Sequence, residues 1–281
     1  MGGIMRTFTL INNNGTTYDV TSPGSAFFYN VDGLGYERIM DFNQVGDIFG
    51  LMKDKASQNT ISGTVKFWKG TAEKDYFDFY KFCKAAPLKL QYNPGHGLYT
   101  RNGYIKGITK TDGLNDVLTV KIDFICTSPW YKTIQQYNNG DASDGKVYDY
   151  QYDYVYTDST PGSLLIDSDS FMECPCKLII YGPVTNPVWR HYVNGELVTT
   201  GKINATVPVN RQIHVDTTNI PWSIKQYDNL GNFVSDLYQL SDFSTERFVQ
   251  LGNGRNDITV VDDGVNPVGV GLEAQIEYDT I

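Results

Sequence analysis

The sequence predicts a mainly β protein of two domains with a single helix. Three observations carry this. Short runs of alternating apolar and polar residues recur throughout, separated by Asn/Gly turns. Aromatics that favour strands are abundant, with 20 Tyr and 14 Phe beside 27 Gly in 281 residues. Only one stretch has the 3.6-residue apolar period of an amphipathic helix.

Taken in order, Thr7-Phe8-Thr9-Leu10-Ile11 is a β-type run and Thr17-Tyr18-Asp19-Val20 is a second. Between them Asn12-Asn13-Asn14-Gly15 supplies residues that tolerate positive φ, so the pair reads as a hairpin. From Asp41 to Asn59 the periodicity is poor and polar residues are mixed in. A long irregular segment in a compact domain is usually functional or extends outward. Ile61, Val65 and Phe67 then alternate along a half-buried strand.

The helix is expected over about 71–85. Thr71 is placed to cap it, Glu73 and Asp75 lie at the positive end of its dipole, and Pro87 stops it. Tyr76, Phe79, Tyr80 and Cys83 follow i, i+3, i+4, i+7 and form its expected core face. Strands follow at 88–92, 98–110 and 116–126, the last two joined around Thr111-Asp112-Gly113. In the last strand Leu118, Val120, Ile122 and Phe124 form the uniformly apolar, buried set.

The polar, Gly-rich stretch 138–146 is the expected linker, dividing a domain of 1–137 from one of 147–281. Charge supports the division. Residues 1–140 carry 15 Lys/Arg against 12 Asp/Glu, and residues 141–281 carry 8 against 20. The second half is nearly all strand signal, with turns at Asn194-Gly195, Asp228–Gly231, Gly252–Gly254 and Asp263-Gly264, as in a β-sandwich. Its opening strand puts Tyr148, Tyr150, Tyr152, Tyr154 and Tyr156 on one face. That stripe reads first as core or subunit contact. Tyr150, Tyr152 and Tyr154 also form a candidate glycan or docking face, since Tyr rings stack on sugars.

Several function classes are disfavoured. A net charge of −9 is unsuited to gripping phosphates. No apolar run approaches the ~20 residues of a membrane span, and the first residues have no signal-peptide core. Cys83, Cys126, Cys174 and Cys176 are expected as free thiols, with no zinc-type spacing. His96, His191 and His214 stand in no catalytic motif, Gly252-Asn-Gly254 lacks the rest of a phosphate loop, and no acidic run has the calcium-loop pattern. The reading is therefore of a non-enzyme with no cofactor and no metal.

The order of motifs resembles the distal tail protein family, baseplate hub proteins of long-tailed phages. The carriers begin with the 7–15 hairpin, Val31-Asp32-Gly33-Leu34-Gly35-Tyr36 and Ile61–Phe67. The aromatic helix Lys74–Phe82, Leu88–Tyr92 and Phe124–Tyr131 follow, and Phe248–Gly254 and Asn256–Thr259 close the series. The resemblance implies an N-terminal β-sandwich with one helix, six copies of which close into a homohexameric ring. It implies an extended loop or hairpin at about 41–59 that belts the neighbouring subunit, through residues such as Asn43, Asp47, Phe49 and Lys53. It further implies a galectin-like outer domain. The expected partners are the tail tube protein, a tail-associated tip protein and receptor-binding proteins. DNA would only pass through the channel, and the place would be the virion tail tip. The alternative reading is a carbohydrate-binding module for cell-wall glycans.

Overall fold

The computed structural model describes residues 6–21, 26–56, 59–68, 70–111, 117–138, 162–263 and 266–281, with backbone alone at 45, 53–56 and 266–267. The Tyr148–Tyr156 stripe, residues 139–146 of the expected linker, and the turn residues Asp112 and Gly113 lie outside the described residues. Among the described residues the chain is mostly strand with one α-helix, in two compact units: 1–132 with 278–281, and 133–277.

The first unit opens with β1 (Thr7–Ile11) and β2 (Thr17–Asp19), antiparallel about the Asn12–Gly15 turn. Asn12 Oδ1 accepts the Asn14 and Thr16 amides at 3.1 and 3.0 Å, and Gly15 adopts φ +76°. β3 (Ala26–Asp32), β4 (Arg38–Val45), β5 (Ile48–Ala56) and β6 (Thr60–Phe67) follow. Then come α1 (Ala72–Lys84), β7 (Leu88–Asn93), β8 (Tyr99–Thr111), β9 (Leu118–Cys126) and β10 (Trp130–Asn138). The 13-residue β8 serves three neighbours, meeting β10 where Thr100 pairs with Tyr131. Tyr99–Gly103 pairs with β7, and Gly103–Thr111 pairs with β9 through a bulge between Ile105 and Gly107. Gly103 is the shared corner, where a Cβ would lie 2.2 Å from the Ile125 carbonyl oxygen.

Alternation dictates the core. Phe8 and Leu10 of β1, Leu88, Leu90 and Tyr92 of β7, and Leu118 to Phe124 at every second position of β9 are all buried. Phe8 stacks on Tyr92 at 4.6 Å between ring centroids. The helix closes this core with a face rotated from the expected one. Ala72, Phe79 and Phe82 are buried, Tyr76 and Cys83 are partly so, and Tyr80 is exposed with Lys84 over its ring at 5.0 Å. Phe79 meets Phe67 of β6 and Tyr18 of β2. Thr71 makes no side-chain cap, because its hydroxyl donates to Asp75 Oδ2 at 2.8 Å instead of accepting a backbone amide.

The chain's end returns to this unit. The Tyr278 ring meets Tyr99 edge-on at 5.4 Å, Ile281 packs against the core, and Lys132 Nζ lies 4.5 Å over Tyr99 and 5.2 Å over Tyr278. The two compact units divide between Lys132 and Thr133, within β10, which runs from Trp130 to Asn138.

The second unit holds β11 (Ser163–Ser168), β12 (Cys174–Tyr181), β13 (Val184–Thr185), β14 (Val188–Val193), β15 (Glu196–Lys202), β16 (Thr206–Val207) and β17 (Arg211–Asp216). β18 (Ser223–Asp228), β19 (Phe233–Asp236), a 3-10 turn at Tyr238–Leu240, β20 (Gln250–Leu251), β21 (Gly254–Asp262), β22 (Asn266–Pro267) and β23 (Val270–Tyr278) complete it. One sheet runs β19-β18-β17-β12-β23 and a second runs β11-β21-β14-β15. Alternate residues of both are buried, including Leu178, Ile180, Ile213, Val215, Val270 and Leu272 in the first and Leu164, Ile166, Trp189, Ile258 and Val260 in the second. This is sandwich packing. At Gly201 a Cβ would lie 2.0 Å from the Trp189 ring, so the indole fills the place of a side chain.

Candidate functional site

In the segment 41–59, β4 and β5 pair only with each other, as a two-stranded sheet of their own. Strands of 8 and 9 residues give a ribbon about 30 Å long at ~3.4 Å per residue. The segment read as irregular is therefore a regular hairpin.

Its register fixes the faces. Met40 pairs with Asp54, Phe42 with Leu51 and Gln44 with Phe49, which places Met40, Phe42, Leu51 and Phe49 on one face. Asn43 opposite Gly50, and Val45 opposite Ile48, belong to the other. Between Asp41 and Phe42 the register shifts, leaving Met52 as the extra residue of a bulge. Phe42 is 57% and Phe49 64% exposed, and Met40, Ile48, Leu51 and Met52 are exposed too. A folded chain rarely shows water so many large apolar side chains together unless a partner covers them.

The hairpin is carried on a fixed root. Trp130 is fully buried, and its Nε1 donates to the Leu34 carbonyl at 3.1 Å. Asn59 Nδ2 donates to the Gly33 and Gly35 carbonyls at 2.8 and 2.9 Å. The side chain at the exit from the hairpin thus ties down the loop at its entrance. Gly33 has φ +80°, and a Cβ there would meet the Thr60 carbonyl oxygen at 2.1 Å, so only glycine fits.

Of the residues expected on this arm, Phe49 joins the apolar face. Asn43 is exposed on the opposite face, and Asp47 is exposed in the tip turn beside Gly46. Lys53 pairs its backbone with Asp41, and its side chain lies outside the described residues. Sequence reasoning missed Met40, Phe42 and Leu51. Their signal was present as the alternations Met40-x-Phe42 and Phe49-x-Leu51. Tyr150, Tyr152 and Tyr154 fall outside the described residues.

The ionisable groups with shifted affinities are structural in character. His191 is fully buried, with Nε2 3.0 Å from Asn256 Oδ1. Asn256 Nδ2 donates to the Gly252 and Gly254 carbonyls, so Oδ1 is the acceptor and Nε2 carries the proton. Burial lowers the pKa of His191, and burial with Lys177 nearby pushes His214 down to about 4. Burial pushes the Cys83 and Cys176 thiols up to about 12. All four cysteines are free. Among the described residues no cluster of His, Cys, Asp or Glu is placed to hold a metal, and no helix is long and apolar enough to cross a membrane.

Residues 7–127 match the family of the distal tail protein, N-terminal domain. The solved baseplate of phage p2, in its activated conformation with strontium, contains a chain of similar fold. It is 17% identical, with 98% of this chain and 99% of that one covered and a TM-score of 0.62. The Dit protein of phage SPP1, described as a paradigm of hub adsorption apparatus in phages infecting Gram-positive bacteria, is 10% identical. There the coverage is 96% and 99%, at a TM-score of 0.65. No curated protein sequence matches the chain.

Proposed function

We propose that this chain, whose residues 7–127 match the distal tail protein N-terminal domain, is a structural protein of a phage tail and baseplate and closes into a homohexameric ring at the tail tip. The hairpin Arg38–Ala56 is the arm that lies on the next subunit. A ring needs a heterologous contact, in which one surface meets a different surface of its neighbour. A protruding ribbon with an apolar face provides one half of that contact. The second unit, read as a galectin-like sandwich, offers surface to receptor-binding proteins. The tail tube and a tip protein stack on the two sides of the ring, and DNA passes through the middle.

The observation that carries the proposal is the apolar face formed by Met40, Phe42, Phe49 and Leu51. These side chains have no role in the first unit's own core, yet their root is held rigid by Asn59 and Trp130. Rigid presentation lowers the ordering cost of association. Negative-stain microscopy and sedimentation of the full chain test it. Six-fold rings with a central hole are expected. A chain that stays monomeric from micromolar to hundreds of micromolar, alone and with the tail tube and tip proteins, counts decisively against the proposal.

A further inference from the structure

The second unit carries two grooves on either side of one aromatic ridge. The larger, about 1110 Å³, is lined by Asp216, Lys225, Asp236, Trp222, Tyr227 and Tyr238. The smaller, about 750 Å³, is lined by Glu173, Glu196, Glu246 and Asn194. Trp222 and Phe248 line both, with their rings 5.2 Å apart. Trp222 is 39% exposed, while Trp130 and Trp189 are wholly buried.

The ridge is held from behind. The Arg247 guanidinium lies 4.4 Å from the Phe243 ring, 5.0 Å from Tyr238 and 5.5 Å from Phe248, and its Nη2 donates to the Tyr238 hydroxyl at 2.8 Å. The rings are therefore positioned before any ligand arrives. Polar groups at the groove edges keep free capacity. Asp236 Oδ1 accepts the Tyr238 amide at 2.8 Å, which leaves its second oxygen available. Lys225, Glu173, Glu196 and Glu246 form no ion pair among the described residues.

We propose that this ridge and its two grooves bind a linear, uncharged or amine-bearing polysaccharide, with one sugar ring stacked on Trp222. An aromatic face matches the apolar C–H face of a pyranose, and carboxylates and amides at the rim match its hydroxyls. Grooves open at both sides of a ridge suit a chain that continues past the stacked residue. Charge selects the class. Five carboxylates face one lysine across the two grooves, so a phosphodiester polymer is repelled and a neutral or amino sugar is accepted. This function stands apart from ring assembly, which uses the first unit.

The test titrates the full chain with tetrasaccharides of glucose, N-acetylglucosamine and glucosamine, followed by tryptophan fluorescence and calorimetry. Polyglycerol phosphate and a lysine-rich peptide serve as comparators. At least one tetrasaccharide is expected to bind with micromolar to millimolar affinity. Trp222→Ala should weaken that binding about tenfold or more. Asp236→Asn, at the exposed rim, should weaken it several-fold with an unchanged melting temperature. Three outcomes overturn the proposal: no saccharide bound at several millimolar, saccharide binding equal in wild type and both variants, or binding of the peptide or the phosphate polymer alone. Ring formation is scored separately by microscopy, so either reading can fail without the other.

Discussion

Replacing Phe42 and Phe49 together by Asp should separate folding from assembly. Full burial of a Phe side chain stabilises by about 1.5–3 kcal/mol. Phe42 and Phe49 keep 57% and 64% of their surface in water within one chain. That leaves about 1–2 kcal/mol each to be gained when a neighbour covers them, or about 2–4 kcal/mol per contact. At 1.4 kcal/mol per tenfold, loss of both rings weakens each subunit contact about 30- to 1000-fold. Two buried carboxylates in their place add a further penalty. The single chain loses little, because neither ring belongs to its core, so the melting temperature should move by no more than a degree or two. Sedimentation velocity across a concentration series reads assembly, and scanning calorimetry reads folding. The reasoning is refuted if the double variant forms rings at wild-type concentration. It is refuted equally if melting drops by more than about 5 °C, since the rings would then be stabilising their own chain.

Other expectations concern the second unit. His214 titrates near 4 when folded and near 6.5 when unfolded, so the unfolded chain takes up protons first as pH falls. The stability this neutral imidazole lends is complete above pH 6.5 and drains away between 6.5 and 4. His214→Gln should flatten the urea-midpoint profile across that window. Asn256→Leu strips the partner from His191 and from three backbone groups of the Gly252–Gly254 turn. It should cost about 2–4 kcal/mol in urea unfolding. Cys83 and Cys176, with thiols raised to about 12, should resist a thiol-specific disulfide reagent at pH 8 until the chain unfolds. Rapid labelling of Cys176 in the native protein would contradict its burial.

Strands that face a core announced themselves in the sequence. Leu118, Val120, Ile122 and Phe124 alternate because one side of β9 is buried and the other is not. The arm has no such contrast, since both faces of β4 and β5 meet water, and the bulge after Asp41 breaks the period at its middle. That is why the segment read as irregular. On the helix, the 3.6 period named a face but not its rotation. Tyr80 fits the pattern as well as Phe82 does, and it is Tyr18 that Phe82 meets on the inward side. The pairing of His191 with Asn256, 65 positions apart, left no local trace at all. Trp222 was equally silent, because its exposure depends on ring neighbours from Tyr238 to Phe248.

Residues 133–277 leave the first unit after Lys132 and return to it at Tyr278. Those two side chains touch, with the lysine ammonium over the tyrosine ring. The doorway and the exit of the whole second half are thus side by side in the first unit's framework. A short splice between 132 and 278 would therefore span a small gap, cutting β10 after Lys132 and keeping only Tyr278 of β23.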